Sequence, residues 1–554
     1  MANDTQVIIS GAGPVGLVVA LDLARRGVRS TIVETRQAGE PPSVKCNHVA
    51  ARTMEAFRRL GFADVVRDSG LPADYPNDCV YRTSVTQGHE ITRIAIPARA
   101  ERWTEFTGPD TWWPTPEPPH RINQIYLEPL IFAQAAAHPL ITIRNQTELV
   151  EATQDDAGVT VTVRDLPSGA TETLTGLYLV GCDGGRSRVR SIIGAKLSGD
   201  AVVQRVQSTY IRAPKLLEMM QGRPGWMNLS LNARRSGNTV AIDGRETWLI
   251  HNYLYEHEED FDAIDRDASI RTILGVGDDF TYEVISKEDW IGRRLVADKF
   301  RDRRIFICGD SAHLWVPYAG FGMNAGIADA MNLTWLLAAT VNGWGGAHLL
   351  DAYEAERLPI TEQVSHFAMN HALSAIAHRR AVPEAVELDG ADGEAARAAL
   401  GAQVYALNVQ QYCCGGLNFG YFYPESHIIS YDGEQQPGYS MAGFEQSTVP
   451  GCRTPHFWRR NGTSAYDDFG ADYTLLRFDP SIDVAPLEQA AAKTGMPLTV
   501  LDIEPDERTA VYRHALLVSR PDLHVGWRGD ALPGDAAGLV DLLRGARAVK
   551  GADR

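Results

Sequence analysis

Apolar positions follow two different rhythms along the chain. A continuous β-branched run, Val7-Ile8-Ile9, suits a strand buried on both faces; it gives way to helical spacing over LVVALDLARRG and then to a second short run, STIV, ending at Glu34. The order predicts strand, turn, helix and parallel strand. The same pattern recurs in YLVGCDGGRSRVR and in RIFICGD, which is followed by a helix over AGIADAMNLTWLLAAT. Between 201 and 295 the rhythm changes to strand text: VQSTYIRAP, GWMNLSLNA, NTVAIDG, ETWLIHNYLY and TYEVIS. Alternation in TWLIHNYLY sets Trp248, Ile250 and Asn252 on one face and Leu249, His251 and Tyr253 on the other. From His366 to about Gln410 the text is helical and Ala-rich. A stretch of Gly, Pro and aromatics follows, then strand, helix, strand, strand pair and helix up to the end.

Length and charge narrow the classes. At 554 residues, and with roughly one domain per 150 residues, two to four domains are expected. No run reaches the roughly 18 apolar residues of a membrane span, and MANDTQ lacks the basic and apolar parts of a leader, so a cytoplasmic protein without membrane contact is expected. The net charge of −17 argues against tracking nucleic-acid phosphates. Seven cysteines without a CxxC pair suit a reducing compartment and point to no metal site.

The chemistry sits at the Gly-rich turns. Gly11, Gly13 and Gly16 form GxGxxG between strand and helix: Gly11 for the tight turn, Gly13 for close approach of a pyrophosphate, and Gly16 for helix–strand packing. Glu34, at the end of the second strand, suits a ribose 2′-OH and disfavours a 2′-phosphate. Asp183 in DGGRSRVR and Asp310 in GD each close an apolar strand, and Gly320, Gly322 and Asn324 precede a helix whose N-terminus faces a second phosphate. One dinucleotide satisfies both clamps.

GxGxxG, DGGRSRVR and GDSAH…P…GxGMNxGxxDAxNL, in that order, resemble the group A flavoprotein monooxygenases, the FAD-dependent aromatic hydroxylases typified by para-hydroxybenzoate hydroxylase and phenol hydroxylase. The resemblance implies an α/β fold: a Rossmann-type FAD-binding domain with an inserted mixed β-sheet substrate domain and a C-terminal thioredoxin-like domain. The expected division is 1–200 and 296–400 for FAD, 201–295 for substrate, a linker over 401–450, and the last unit over 451–554, without redox cysteines. It further implies that Gly11, Gly13, Gly16 and Glu34 hold the ADP half, and that Asp310, Gly322, Met323 and Asn324 hold the ribityl and ring part. Asp183 lies by the cofactor. In RINQIYLEPL, Gln124 contacts the flavin and Arg121 lies near it. Lys45 stands where the family carries a flavin-contacting Arg. The Pro317 carbonyl lies near the reacting oxygen, and the sheet roofs the site, so that His251 and Tyr253 are the candidate proton partners of a phenol. Trp226, Tyr210 and Trp315 are expected in the core.

The activity implied is hydroxylation of a phenolic or polyketide-like ring by way of a flavin C4a-hydroperoxide, with FAD as cofactor, NADPH or NADH and O2 as co-substrates, and a possible homodimer. No third Gly-rich clamp exists for the nicotinamide nucleotide, so transient binding near Arg186, Arg188 or Arg190 is expected. Flavin oxidase or dehydrogenase chemistry, a Baeyer-Villiger or decarboxylating outcome, and a non-catalytic FAD-binding redox regulator remain alternatives.

Overall fold

The computed structural model describes residues 3–316 and 320–547. Its first sheet runs in the order Arg301–Asp302, Ile305–Ile307, Tyr178–Gly181, Val7–Ser10, Ser30–Val33 and Ile141–Arg144, all parallel except the first pair. The three strands that carry the motifs are therefore adjacent. Their ladder continues past the strand ends, the N–H of Gly11 donating to Val33 (2.8 Å), of Cys182 to Ser10 (2.8 Å) and of Cys308 to Gly181 (2.9 Å). All three Gly-rich turns thus leave the sheet at one edge, the carboxyl ends of parallel strands, where open α/β sheets take ligands. Helix Pro14–Arg25 follows the first turn and packs against helix Phe321–Val341, which follows the last. Thr334 donates to buried Asp22 between them (2.5 Å).

The second sheet has nine strands, in the order His313–Leu314, Trp290–Ala297, Leu197–Arg212, Thr247–Tyr253, Gly237–Ala241, Met227–Ser230, Cys79–Arg82 and Glu90–Ile94, with Glu283–Lys287 beside Leu197–Arg212. It reaches beyond the expected 201–295 stretch, because the parallel pairing of Met227–Ser230 with Cys79–Arg82 recruits two strands from more than a hundred residues upstream, a pairing that local pattern does not encode.

The 401–450 linker needs correction. Helix Ala391–Tyr412 runs through its first twelve positions, burying Val404, Asn408, Gln411 and Tyr412, so the segment begins as part of the domain wall. The last unit is a sheet in the order Leu498–Asp502, Tyr473–Arg477, Leu516–Ser519 and Val525–Gly529, its first pair parallel and the rest antiparallel. Helices Ala485–Thr494 and Ala536–Leu543 share one apolar core with the Rossmann sheet through Leu487, Ala491, Leu539 and Leu543. Fully buried Arg520 adds a bidentate pair to Glu356 (2.6 and 2.7 Å) and a contact to Asp522 (2.9 Å). Among the described residues no helix is long and apolar enough to cross a membrane.

Candidate active site

A cavity of about 730 Å³ lies between the two sheets. One wall is made by the turns: Gly13, Pro14, Cys182, Gly184, Arg186, Cys308, Asp310, Gly320, Gly322 and Met323. The glycines divide into two kinds. Gly11 sits at φ +102° and a Cβ there would stand 2.4 Å from the Cys182 carbonyl oxygen, while one at Gly16 would stand 2.1 Å from that of Gly11; both are fixed by protein contact. At Gly13, Gly184 and Gly322, all on the cavity wall, a Cβ meets no atom within 4 Å. At Gly184 the left-handed backbone (φ +76°) itself favours glycine; at Gly13 and Gly322 neither packing nor a left-handed backbone calls for it, and room for a ligand does.

Asp310 opens onto the same wall and none of the described residues donates to it. Surrounding protein raises its carboxyl above the usual range, with His313 and Lys45 drawing it back. An acceptor held there without protein donors suits sugar or ribityl hydroxyls. Behind it the turn is anchored: Asp329 accepts from His313 (2.7 Å), from Arg357 (2.8 Å) and from the Gly309 N–H (3.3 Å). Asp329 stays below the usual carboxyl range despite burial, because Arg357 and His313 face it. Glu34 accepts from the N–H of Ala12 (2.7 Å) and from Arg36 (2.9 Å at its N–H). A relay of Arg36 and Glu128 (2.6 Å) joins it to Gln124 (2.8 Å), which lines the cavity. Open glycines, helix N-termini and an unengaged carboxylate together fit an extended dinucleotide.

Other expected residues take different places. Asp183 does not face the cavity: its oxygens accept from Ser187 (2.5 Å), Ser311 (2.9 Å) and the N–H groups of Arg188 (2.7 Å) and Val189 (3.1 Å), so it caps a short helix and ties two turns together. The Asn324 side chain is likewise spent on protein, donating to the carbonyls of His48 (3.1 Å) and Gly320 (2.6 Å) and accepting from the Ala50 N–H (2.9 Å). Arg121 lies one layer behind the wall, its guanidinium 4.8 Å from the Trp226 ring and donating to His48. Arg190 donates to Ser311 and Gly185, and Arg188 to Val150, which leaves Arg186 as the cavity-lining member of that trio. Lys45 lines the cavity and pairs with Glu288 (2.5 Å). Pro317 lies outside the described residues.

The opposite wall is the nine-stranded sheet. Leu249, His251 and Tyr253 line the cavity, as does Trp226 and, from the turn side, Trp315; these two tryptophans are wall and not core alone. Trp226 meets Tyr412 edge-on at 6.3 Å. Burial lowers His251 to about 4, so it is neutral at pH 7, and its ring meets Trp290 edge-on at 5.7 Å. The Arg379 guanidinium covers Tyr253 at 4.2 Å and donates to Gln204 (2.9 Å). Helix Ala352–Arg380 supplies Ala375, His378 and Arg379, and helix Ala391–Tyr412 supplies Val404, Asn408, Gln411 and Tyr412. The sequence reading assigned these helices no chemistry, although the spacing 404, 408, 411 marks one helical face.

A family model described as an FAD binding domain matches residues 4–368, and one described as the C-terminal part of aromatic-ring hydroxylases matches 447–546. The chain belongs to the FAD-dependent aromatic-ring hydroxylases. This hydroxylase is 31% identical to a putative polyketide hydroxylase of Streptomyces halstedii, over 94% of its own chain and 93% of that one. It is 28% identical to phenol 2-monooxygenase of a Pseudomonas species, over 98% and 93%. Among solved structures, the rebeccamycin biosynthetic enzyme RebC with reduced flavin superposes on the hydroxylase with a TM-score of 0.88 at 33% identity, covering 98% and 99% of the two chains.

Proposed function

We propose that the protein hydroxylates an electron-rich aromatic ring, phenolic or polyketide-like, consuming NAD(P)H and O2. The observation that carries this reading is the pairing of walls: open glycines and Asp310 on one side, and on the other a sheet offering Trp226, Leu249, His251 and Tyr253 across one cavity. Gly13, Gly184 and Gly322 would let FAD approach the backbone, Asp310 would take its ribityl hydroxyls, and Glu34, joined to Gln124 through Arg36 and Glu128, would lie on the side of the ADP half. FAD, when bound, supplies the redox chemistry that activates O2. The chain's own part is to hold the ring flat between aromatic side chains, keep water out, and give the ring hydroxyl a hydrogen-bond partner in neutral His251 or Tyr253. Arg186, exposed on the cavity wall, is the group best placed to meet the phosphates of the reductant.

The C-terminal unit we read as thioredoxin-like in topology, with Cys452 as its single cysteine, and as a packing element; its core is shared with the Rossmann sheet. Seven unpaired cysteines support a cytoplasmic setting. The test is a screen of phenols and polycyclic hydroxyarenes for stimulated NAD(P)H loss in labelled O2. One labelled oxygen in the organic product is expected; label confined to water or peroxide would replace the reading with an oxidase.

A further inference from the structure

His48 has a ring whose proton is placed by its neighbour. The guanidinium of Arg121 donates to its Nδ1. Arginine has donors only, so Nδ1 must carry a lone pair and the single ring proton of neutral His48 must sit on Nε2. His48 is buried, 6% exposed, yet lines the cavity, and none of the described residues bonds to Nε2. Its backbone is fixed as well: Asn324 holds its carbonyl, and the Gly320 α-carbon approaches so closely that a Cβ there would stand 3.0 Å from that of His48.

Arg121 is itself unusual. It is 2% exposed, forms no ion pair with a carboxylate among the described residues, and its Nε and Nη2 are buried without hydrogen-bond partners. Its face lies 4.8 Å from Trp226, a cavity wall residue. A buried cation left without an anion is costly. An electron-rich oxygen placed at the cavity face of His48 would offset that cost through the imidazole.

We propose that Arg121 and His48 form a recognition dyad: His48 Nε2–H donates to an acceptor oxygen borne on the substrate ring, a carbonyl or ionised hydroxyl, while Arg121 fixes the tautomer from behind. His48 contacts substrate; Arg121 is a positioning residue acting through it. The inference rests on the hydroxylase reading of the cavity and adds the ring substituent that the site selects. Burial and the positive charge of Arg121 hold His48 well below the ordinary imidazole range, in keeping with a ring that stays neutral.

The lock is tested without turnover. In the holoenzyme labelled with 15N-histidine, the signal that disappears in His48→Gln is expected to show an unprotonated Nδ1 and protonated Nε2 from pH 5 to 9. A proton on Nδ1, or titration near pH 6.5, overturns the dyad whatever the enzyme's reaction proves to be. In Arg121→Lys the Nε2–H tautomer should persist, and in Arg121→Met it should mix with the other; unchanged spectra in Arg121→Met also overturn it. For recognition the probes are 1,4-naphthoquinone and naphthalene, titrated by calorimetry. The quinone should bind at least roughly tenfold tighter, the preference vanishing in His48→Phe and surviving in His48→Gln, whose amide N–H replaces the donor. Equal affinities, absence of binding by both, or a preference kept in His48→Phe reject the acceptor-oxygen role while leaving hydroxylation to be judged by oxygen labelling.

Discussion

A methyl group at Gly16 would stand 2.1 Å from the Gly11 carbonyl oxygen, whereas at Gly13 or Gly322 it meets no protein atom within 4 Å. The two kinds of glycine should therefore fail differently. Gly16→Ala is expected to reduce the yield of folded protein. Gly13→Ala and Gly322→Ala should keep the thermal midpoint of the FAD-free protein and lower flavin occupancy, read as visible flavin absorbance relative to protein absorbance; a lowered midpoint in both would show that packing, and not ligand space, fixes these positions. Asp310→Ala removes a charged acceptor aimed into the cradle. A hydrogen bond to a charged group contributes about 1.5–3 kcal/mol, so FAD affinity should drop roughly 10- to 150-fold, measured by equilibrium titration. Asp183→Ala makes the contrast: its carboxylate caps a helix, so stability should suffer before flavin affinity does.

On the strand Thr247–Tyr253, alternate residues divide between the cavity side, with Leu249, His251 and Tyr253 on the wall, and the other side, with Trp248 and Ile250 in the core, Leu249 being as buried as they are. Because burial holds His251 to about 4, it stays neutral through the physiological range, and its part in hydroxylation should show no inflection near pH 6.5. His251→Gln is expected to slow ring hydroxylation with FAD retained; a wild-type inflection near pH 6.5 that disappears in this variant would show a titrating base instead. This face was legible in the sequence because a period of two needs only local order, and the three turns were legible because strand, glycine and helix must follow one another for backbone N–H groups to reach a phosphate. Side-chain destinations were less so. Asp183 and Asn324 carry the motif yet spend their polar atoms on protein, partly on neighbours 128 and 274 residues away, and Trp226 becomes wall only because Tyr412 and Arg121 arrive from distant segments. Periodicity reports which face is apolar, not what stands opposite.

Over the whole molecule, the C-terminal unit is held by a shared core and by Arg520 on Glu356. Arg520→Met leaves a buried carboxylate unpaired, which costs about 3–5 kcal/mol, and should lower the midpoint of denaturant unfolding; an unchanged midpoint would mean that water already reaches Glu356. Acid should act in the same direction. His371 and His524 are lowered to about 4 and His456 to about 3, chiefly by burial, against an ordinary value near 6.5 in the unfolded chain. The unfolded state therefore binds more protons between those values, so stability is full above about pH 6.5 and falls as the pH drops toward 4. Melting curves at pH 7 and pH 5 check the sign, and a higher midpoint at pH 5 would contradict it.

The parallel sheet has one more consequence, in time. The strands Val7–Ser10 and Tyr178–Gly181 wait for Ile305–Ile307 to complete their row, and Asp310 emerges from the ribosome 299 residues after Gly11. At about 5–20 residues per second the interval is roughly 15–60 s. For the last part of that period, the roughly 6–25 s that the 126 residues from Gly181 to Ile307 take at the same rate, Tyr178–Gly181 is an open strand edge beside an unfinished flavin cradle, and such edges invite pairing with other chains. Cofactor supply during synthesis cannot shorten this exposure, because the residue that would grip the ribityl chain has not yet been made; slower growth temperature or a chaperone that covers the edge can.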